Sequence, residues 1–73
     1  MTIERAIKRA VKLIFGQKPK KMEFTEINEL DRRRLVLGIQ EQLGKKFDIS
    51  LEELNAIGNW QELEKSINNK VGE

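Results

Sequence analysis

The stretch that decides the fold runs from Asn28 to Gly44 and reads NELDRRRLVLGIQEQLG. Asn28 is a favourable N-cap, and Glu29 and Asp31 lie in the first turn, where the helix dipole stabilises negative charge. Gly44 follows the last apolar residue, a position where glycine commonly ends a helix in the left-handed conformation. These signals predict a helix from Glu29 to Leu43.

Apolar residues lie on two faces of this predicted helix. At about 100° per residue, one face carries Leu35, Ile39 and Leu43. Leu30 and Leu37 project nearly opposite, with Arg33 and Arg34 beside them. The first face is expected to enter the core. The second is expected to leave a pair of leucines at the surface.

Upstream of this helix, the stretch from Ile3 to Phe15 shows the three and four residue apolar spacing of another helix, with Thr2 as its cap and Gly16 at its end. Residues 17–21 hold the only proline and three lysines, which predicts an exposed loop. Three apolar residues are expected to attach the rest of this connector to the core: Met22, Phe24 and Ile27.

Downstream, two more helices are predicted. Ser50 and Glu53 have the spacing of a capping box that opens a short third helix, and Gly58 is expected to close it. The last helix begins near Asn59, and its apolar stripe consists of Trp60, Leu63, Ile67 and Val71. No segment shows the sustained alternation of a strand that could form a sheet.

The sequence therefore predicts one all-α domain over residues 1–73, a small four-helix bundle with three longer helices and a short third helix. Its predicted core consists of Ile7, Val11, Ile14, Leu35, Ile39, Leu43, Leu54, Ile57, Leu63 and Ile67.

Composition narrows the classes of function. The 73 residues include no Cys and no His, which removes the usual thiol and imidazole nucleophiles, bases and metal ligands. No apolar stretch is long enough to span a membrane. We therefore expect a cytoplasmic, monomeric chain that is not an enzyme and holds no metal or cofactor.

Charge is distributed unevenly along the chain. Through Lys21 there are seven basic residues and one acidic residue, whereas the remainder has seven basic and eleven acidic residues. A basic N-terminal third can attract nucleic acid or another polyanion, although it can equally serve as a solvated helix face.

The order of a long helix, a long loop, a long helix, a short helix and a long helix resembles the acyl carrier protein family, the phosphopantetheine carriers of fatty acid, polyketide and nonribosomal peptide synthesis. Asn-Glu-Leu-Asp at residues 28–31 is similar to the family's Asp-Ser-Leu-Asp motif, and residues 35–43 resemble the recognition helix after it. Further similarity lies in residues 2–7, 47–54 and 57–63. The resemblance implies the carrier fold.

The resemblance also implies a lost function. In the family, the motif serine receives the phosphopantetheine arm, but the matching residue here is Glu29, preceded by Asn28. A carboxylate cannot replace the hydroxyl that forms this phosphodiester. The only serines, Ser50 and Ser66, lie elsewhere, and a rival register at residues 48–51 is broken by Ile49. We therefore expect no phosphopantetheine.

Two functions remain. The first is a protein-interaction module whose partner surface comprises Leu30, Arg33, Arg34 and Leu37. In carrier proteins this surface is acidic and docks on basic patches, whereas the arginines here would suit a synthase-type or modifying enzyme with an acidic docking patch. In the alternative arrangement, the leucines fold onto the connector and the arginines only solvate the helix.

The second function is nucleic-acid binding through the first helix, the loop from Lys18 to Lys21 and the arginines from 32 to 34. The candidate polyanion contacts are Lys18, Lys20, Lys21 and Arg32. A helix-turn-helix is disfavoured, because its recognition helix would carry Glu62 and Glu64 towards the DNA phosphates.

Overall fold

Four α-helices make up most of the chain. The computed structural model describes residues 2–71, in which the helices are α1 (Ile3–Phe15), α2 (Glu29–Leu43), α3 (Leu51–Ala56) and α4 (Trp60–Lys70). Two single 3₁₀ turns, Pro19–Lys21 and Phe24–Glu26, lie in the connector between α1 and α2. No strand occurs between residues 2 and 71. The predicted all-α four-helix bundle is confirmed.

The ends of α1 and α2 follow local sequence signals. The side chains of Thr2 and Asn28 each accept a backbone N–H from the first turn, at 3.2 and 2.8 Å. Gly16 and Gly44 end the two helices with φ of 70° and 68°. Glycine adopts this left-handed conformation without the steric cost that a Cβ brings. The predicted bounds of both helices are therefore confirmed.

The third helix begins as predicted but uses its acidic residue differently. Ser50 Oγ accepts the backbone N–H of Glu53 at 3.1 Å. The Glu53 carboxylate turns to α4, where it accepts hydrogen bonds from Lys70 Nζ at 2.8 Å and from Ser66 Oγ at 2.5 Å. Glu53 therefore links two helices, and the expected reciprocal capping box is replaced by this contact.

The turn between α3 and α4 also differs from expectation. The last residue of α3 is Ala56, and Ile57 follows in an extended conformation, so Gly58 does not close the helix. The N–H of Gly58 instead donates to Glu62 Oε1 at 2.8 Å, while Asn59 Oδ1 accepts the N–H of Glu62 at 2.8 Å. Gly58 thus helps to begin α4.

Fourteen apolar residues form one buried core: Ala6, Ile7, Ala10, Val11, Phe24, Ile27, Leu35, Val36, Ile39, Phe47, Leu54, Ile57, Leu63 and Ile67. Eight of the ten predicted core residues are among them. Ile14 and Leu43 are only half-buried, because each lies in the last turn of its helix, at the edge of the core. Helices α1 and α2 approach each other closely at Gly38, because a Cβ there would lie 3.3 Å from Ile14 Cδ1.

Arg32 attaches the connector to the bundle. Its Nε donates to the Ile27 carbonyl at 2.9 Å, and its two terminal nitrogens donate to the carbonyls of Phe24 and Leu54 at 3.3 and 3.4 Å. The guanidinium also lies 4.6 Å above the centroid of the Phe24 ring. One side chain of α2 therefore contacts both the connector and the end of α3.

Trp60 completes this attachment from the first turn of α4. Its ring meets the Phe24 ring edge to face, with centroids 5.2 Å apart, and its Nε1 donates to the Met22 carbonyl at 3.0 Å. Phe24 is 1% exposed between these neighbours. The predicted attachment of the connector through Met22, Phe24 and Ile27 is confirmed.

The first prediction tests the Arg32 contacts. Arg32→Lys keeps the charge but loses the planar fork that reaches three carbonyls, so we expect the free energy of unfolding to fall by about 1–3 kcal/mol. Urea denaturation followed by circular dichroism measures this change. Arg33→Lys is the matched control, and at this exposed site we expect a change within about 0.5 kcal/mol. Equal effects of the two substitutions would contradict the assignment.

The second prediction concerns pH. The hydrogen bonds from Lys70 and then Ser66 hold the pKa of Glu53 below its usual 4.5, against a weaker opposing effect of burial. The contact therefore stabilises the fold above the pKa of the unfolded chain, and this stabilisation is lost as pH falls through the lowered value. Because Glu53 is 37% exposed, we expect at most about 1 kcal/mol.

Urea titrations of wild type and Glu53→Gln at pH 7 and pH 3 measure this effect. The difference in unfolding free energy between the two proteins should be larger at pH 7 than at pH 3. A difference that does not change with pH would show that the ionised carboxylate contributes nothing to stability.

Candidate functional site

The position predicted to match the carrier serine lies at the start of α2. Glu29 is the first residue of this helix and is exposed. Asn28 precedes it, and its side chain caps the helix. Ser50 caps α3 and Ser66 donates to Glu53, so both serines serve the α3 and α4 region. The chain places no hydroxyl at the start of α2.

The outer face of α2 carries the predicted partner residues. Leu30 and Leu37 are each 61% exposed. Arg33 and Arg34 are exposed on the same face, and Arg34 lies 3.9 Å from an Asp31 carboxylate oxygen. The expectation that the leucines remain exposed is confirmed, and their folding onto the connector is ruled out. We call these four residues, Leu30, Arg33, Arg34 and Leu37, the α2 outer surface.

A depression of mixed polarity adjoins the α2 outer surface. It has a volume of about 170 Å³. Its lining combines apolar side chains with polar ones: Val36, Leu37, Phe47, Ile49 and Leu54, together with Arg33, Gln40 and Asp48. Gln40 Nε2 donates to the Phe47 carbonyl at 2.8 Å and so holds the irregular segment before α3 against α2. We call this depression the α2 groove. Sequence patterns did not reveal it, because it forms between a helix and a segment without periodicity.

The predicted polyanion contacts do not form one cluster. Arg32 is half-buried and its nitrogens are directed to backbone carbonyls, so its assignment as a polyanion contact was wrong. Lys18, Lys20 and Lys21 are exposed. Lys20 lines a depression near Trp60, whereas Lys18 lines a different one beside α1.

Four cations of α1 line the same depression as Lys18, although none of them was predicted to have an individual role: Arg5, Lys8, Arg9 and Lys12. Their three and four residue spacing was the available signal. Leu13 was also not predicted as a surface feature, although it is 75% exposed. Leu13 falls outside the apolar stripe of α1, and that position was the available signal.

Metal clusters and membrane-spanning helices were also sought in the described part of the chain. Residues 2–71 contain no group of three or more Asp and Glu side chains placed to hold a metal ion. None of the helices in that range is long and apolar enough to cross a membrane. Comparison with protein families, with curated proteins and with solved structures found no match to this chain.

The third prediction tests the predicted alignment of Glu29 with the carrier serine. Incubated with coenzyme A and a broad-specificity phosphopantetheinyl transferase, the protein should gain no mass, because Glu29 offers no hydroxyl for the phosphodiester. Intact-mass spectrometry gives the readout, and a carrier protein with the motif serine in the same reaction is the positive control. A stoichiometric phosphopantetheine adduct would overturn the alignment of Glu29 with the serine.

Proposed function

We propose that this chain is a non-catalytic, acyl-carrier-protein-like interaction module that binds a partner protein through the α2 outer surface and carries no phosphopantetheine. The proposal rests on the position of Leu37. Its side chain is 61% exposed and also lines the α2 groove. An apolar partner side chain that enters the groove would therefore cover Leu37 as well.

The energetics favour binding over folding as the role of these leucines. Fully burying a leucine side chain contributes about 1.5–3 kcal/mol, and Leu30 and Leu37 leave most of that contribution unused in the isolated chain. Protein interfaces typically combine an apolar centre with arginine, which is enriched there relative to the rest of the surface. Arg33 and Arg34 are the arginines beside the two leucines.

Charge indicates the kind of partner. Arg33 and Arg34 flank the leucines, so the partner should present acidic groups around an apolar side chain. Glu41 is exposed one turn after Leu37 and would repel an acidic group placed there, which limits the orientations a partner can adopt. In the carrier family the sign is reversed, so this chain and a typical carrier would select different partner surfaces.

The fourth prediction tests the α2 outer surface. Leu37→Asp should abolish capture of the partner from lysate, measured by quantitative mass spectrometry on immobilised protein, because it places a charge in the apolar contact. Helicity and melting temperature should remain nearly unchanged, since an exposed side chain contributes little to folding. Leu13→Asp is the matched control, because Leu13 is an exposed leucine on α1.

The captured protein should then bind the purified chain directly in calorimetry, and Arg33→Glu with Arg34→Glu should weaken that binding. Equal loss of capture in Leu13→Asp and Leu37→Asp would show a general effect of the added charge. Unfolding by Leu37→Asp would show that Leu37 supports the fold. Either result would contradict the proposed interface.

A further inference from the structure

The exposed face of α1 is strongly basic. At about 100° per residue, its four cations fall within an arc of about 100°. These residues are Arg5, Lys8, Arg9 and Lys12, all exposed. The opposite face of the helix is buried in the core and carries Ala6, Ile7, Ala10 and Val11. The fold therefore fixes the direction of the basic face.

The turn after α1 adds a fifth cation. Gly16, in the left-handed conformation, ends the helix, and the chain then places Lys18 and Pro19 beside it. All five cations line one shallow depression of about 240 Å³. Within residues 2–71 the only ion pair of this set joins Lys8 to Glu4 at 3.6 Å, with both side chains more than half exposed. We call these five residues, Arg5, Lys8, Arg9, Lys12 and Lys18, the α1 basic face.

We propose that the α1 basic face binds the phosphate backbone of duplex nucleic acid without reading its sequence. From Arg5 to Lys12 the helix rises about 10 Å, and one strand of a duplex presents a phosphate about every 3.4 Å along the axis. The face thus spans about three phosphates of one strand, with Lys18 beside them. Four of its cations have no ion-pair partner between residues 2 and 71 and are available for this contact.

Three other polyanionic partners fit the face less well. An amphipathic helix that lies in a membrane surface buries its apolar face in the lipid, but the apolar face of α1 is in the core and Leu13 is the one large apolar residue exposed beside the cations. Acidic proteins usually meet an apolar interface centre in which lysine is depleted. A single strand is held by stacking on aromatic rings, and no aromatic residue lines this depression.

This binding does not depend on the proposed protein interface, because it uses α1 and not the outer face of α2. The fifth prediction is measured by fluorescence anisotropy on a labelled 20-base-pair DNA duplex over a range of salt. Three to five phosphate contacts give a slope of log K against log salt of about −3 to −4.5. Arg9→Glu with Lys12→Glu should reduce affinity by at least about 10-fold at low salt.

Arg33→Glu with Arg34→Glu is the matched control, since it changes net charge equally and lies on α2. It should weaken binding by less than about 3-fold. Arg9→Gln with Lys12→Gln supplies a second readout, because removing two contacts should make the salt slope shallower by about 2. Far-ultraviolet circular dichroism checks that each variant remains helical.

Several outcomes would overturn the proposal. The first is no binding of wild type to the duplex at about 25 mM salt, where phosphate contacts are strongest. The second is equal loss of affinity in the α1 and α2 variants, which would indicate net charge alone. The third is tighter binding to the single strand of the same sequence. The fourth is binding to vesicles with anionic lipid but not to the duplex.

Discussion

The contact of Phe24 with Arg32 and Trp60 is the interaction on which the rest of the structure depends. The connector between α1 and α2 contains only two short 3₁₀ turns, so it cannot position itself. Phe24 is buried in contact with the guanidinium of Arg32 and the ring of Trp60, and the same two side chains donate to connector carbonyls. In this way, the connector is joined to α2 and α4, and Arg32 also reaches α3.

The three consecutive arginines of α2 have different roles, because only Arg32 contacts the connector. Arg32 is directed inward, where its guanidinium donates to the connector carbonyls of Phe24 and Ile27. Arg33 and Arg34 follow at 100° steps and are therefore exposed beside Leu30 and Leu37. The same helix thus stabilises the bundle with one face and leaves exposed leucines beside arginines on the other.

The proposed functions share a physical logic. Both proposals rest on cationic surfaces, one on α2 and one on α1. The α2 outer surface combines its charge with exposed leucines, which suits a folded protein partner. The α1 basic face places five cations around one depression, which suits a phosphate backbone. The two surfaces lie on different helices, so each can be removed by substitution while the other is kept.

The sequence by itself determined the all-α class and the bounds of α1 and α2, because caps, left-handed glycines and apolar spacing act within a few residues of each other. The helix bounds around Asn28 and Gly44 and the exposure of Leu37 followed from such local signals. Only the tertiary structure decided the role of Arg32, the direction of the Glu53 carboxylate and the shape of the α2 groove. These depend on partners far apart in the chain, as Arg32 and Leu54 are, and periodicity along one helix carries no information about which distant atoms will meet it.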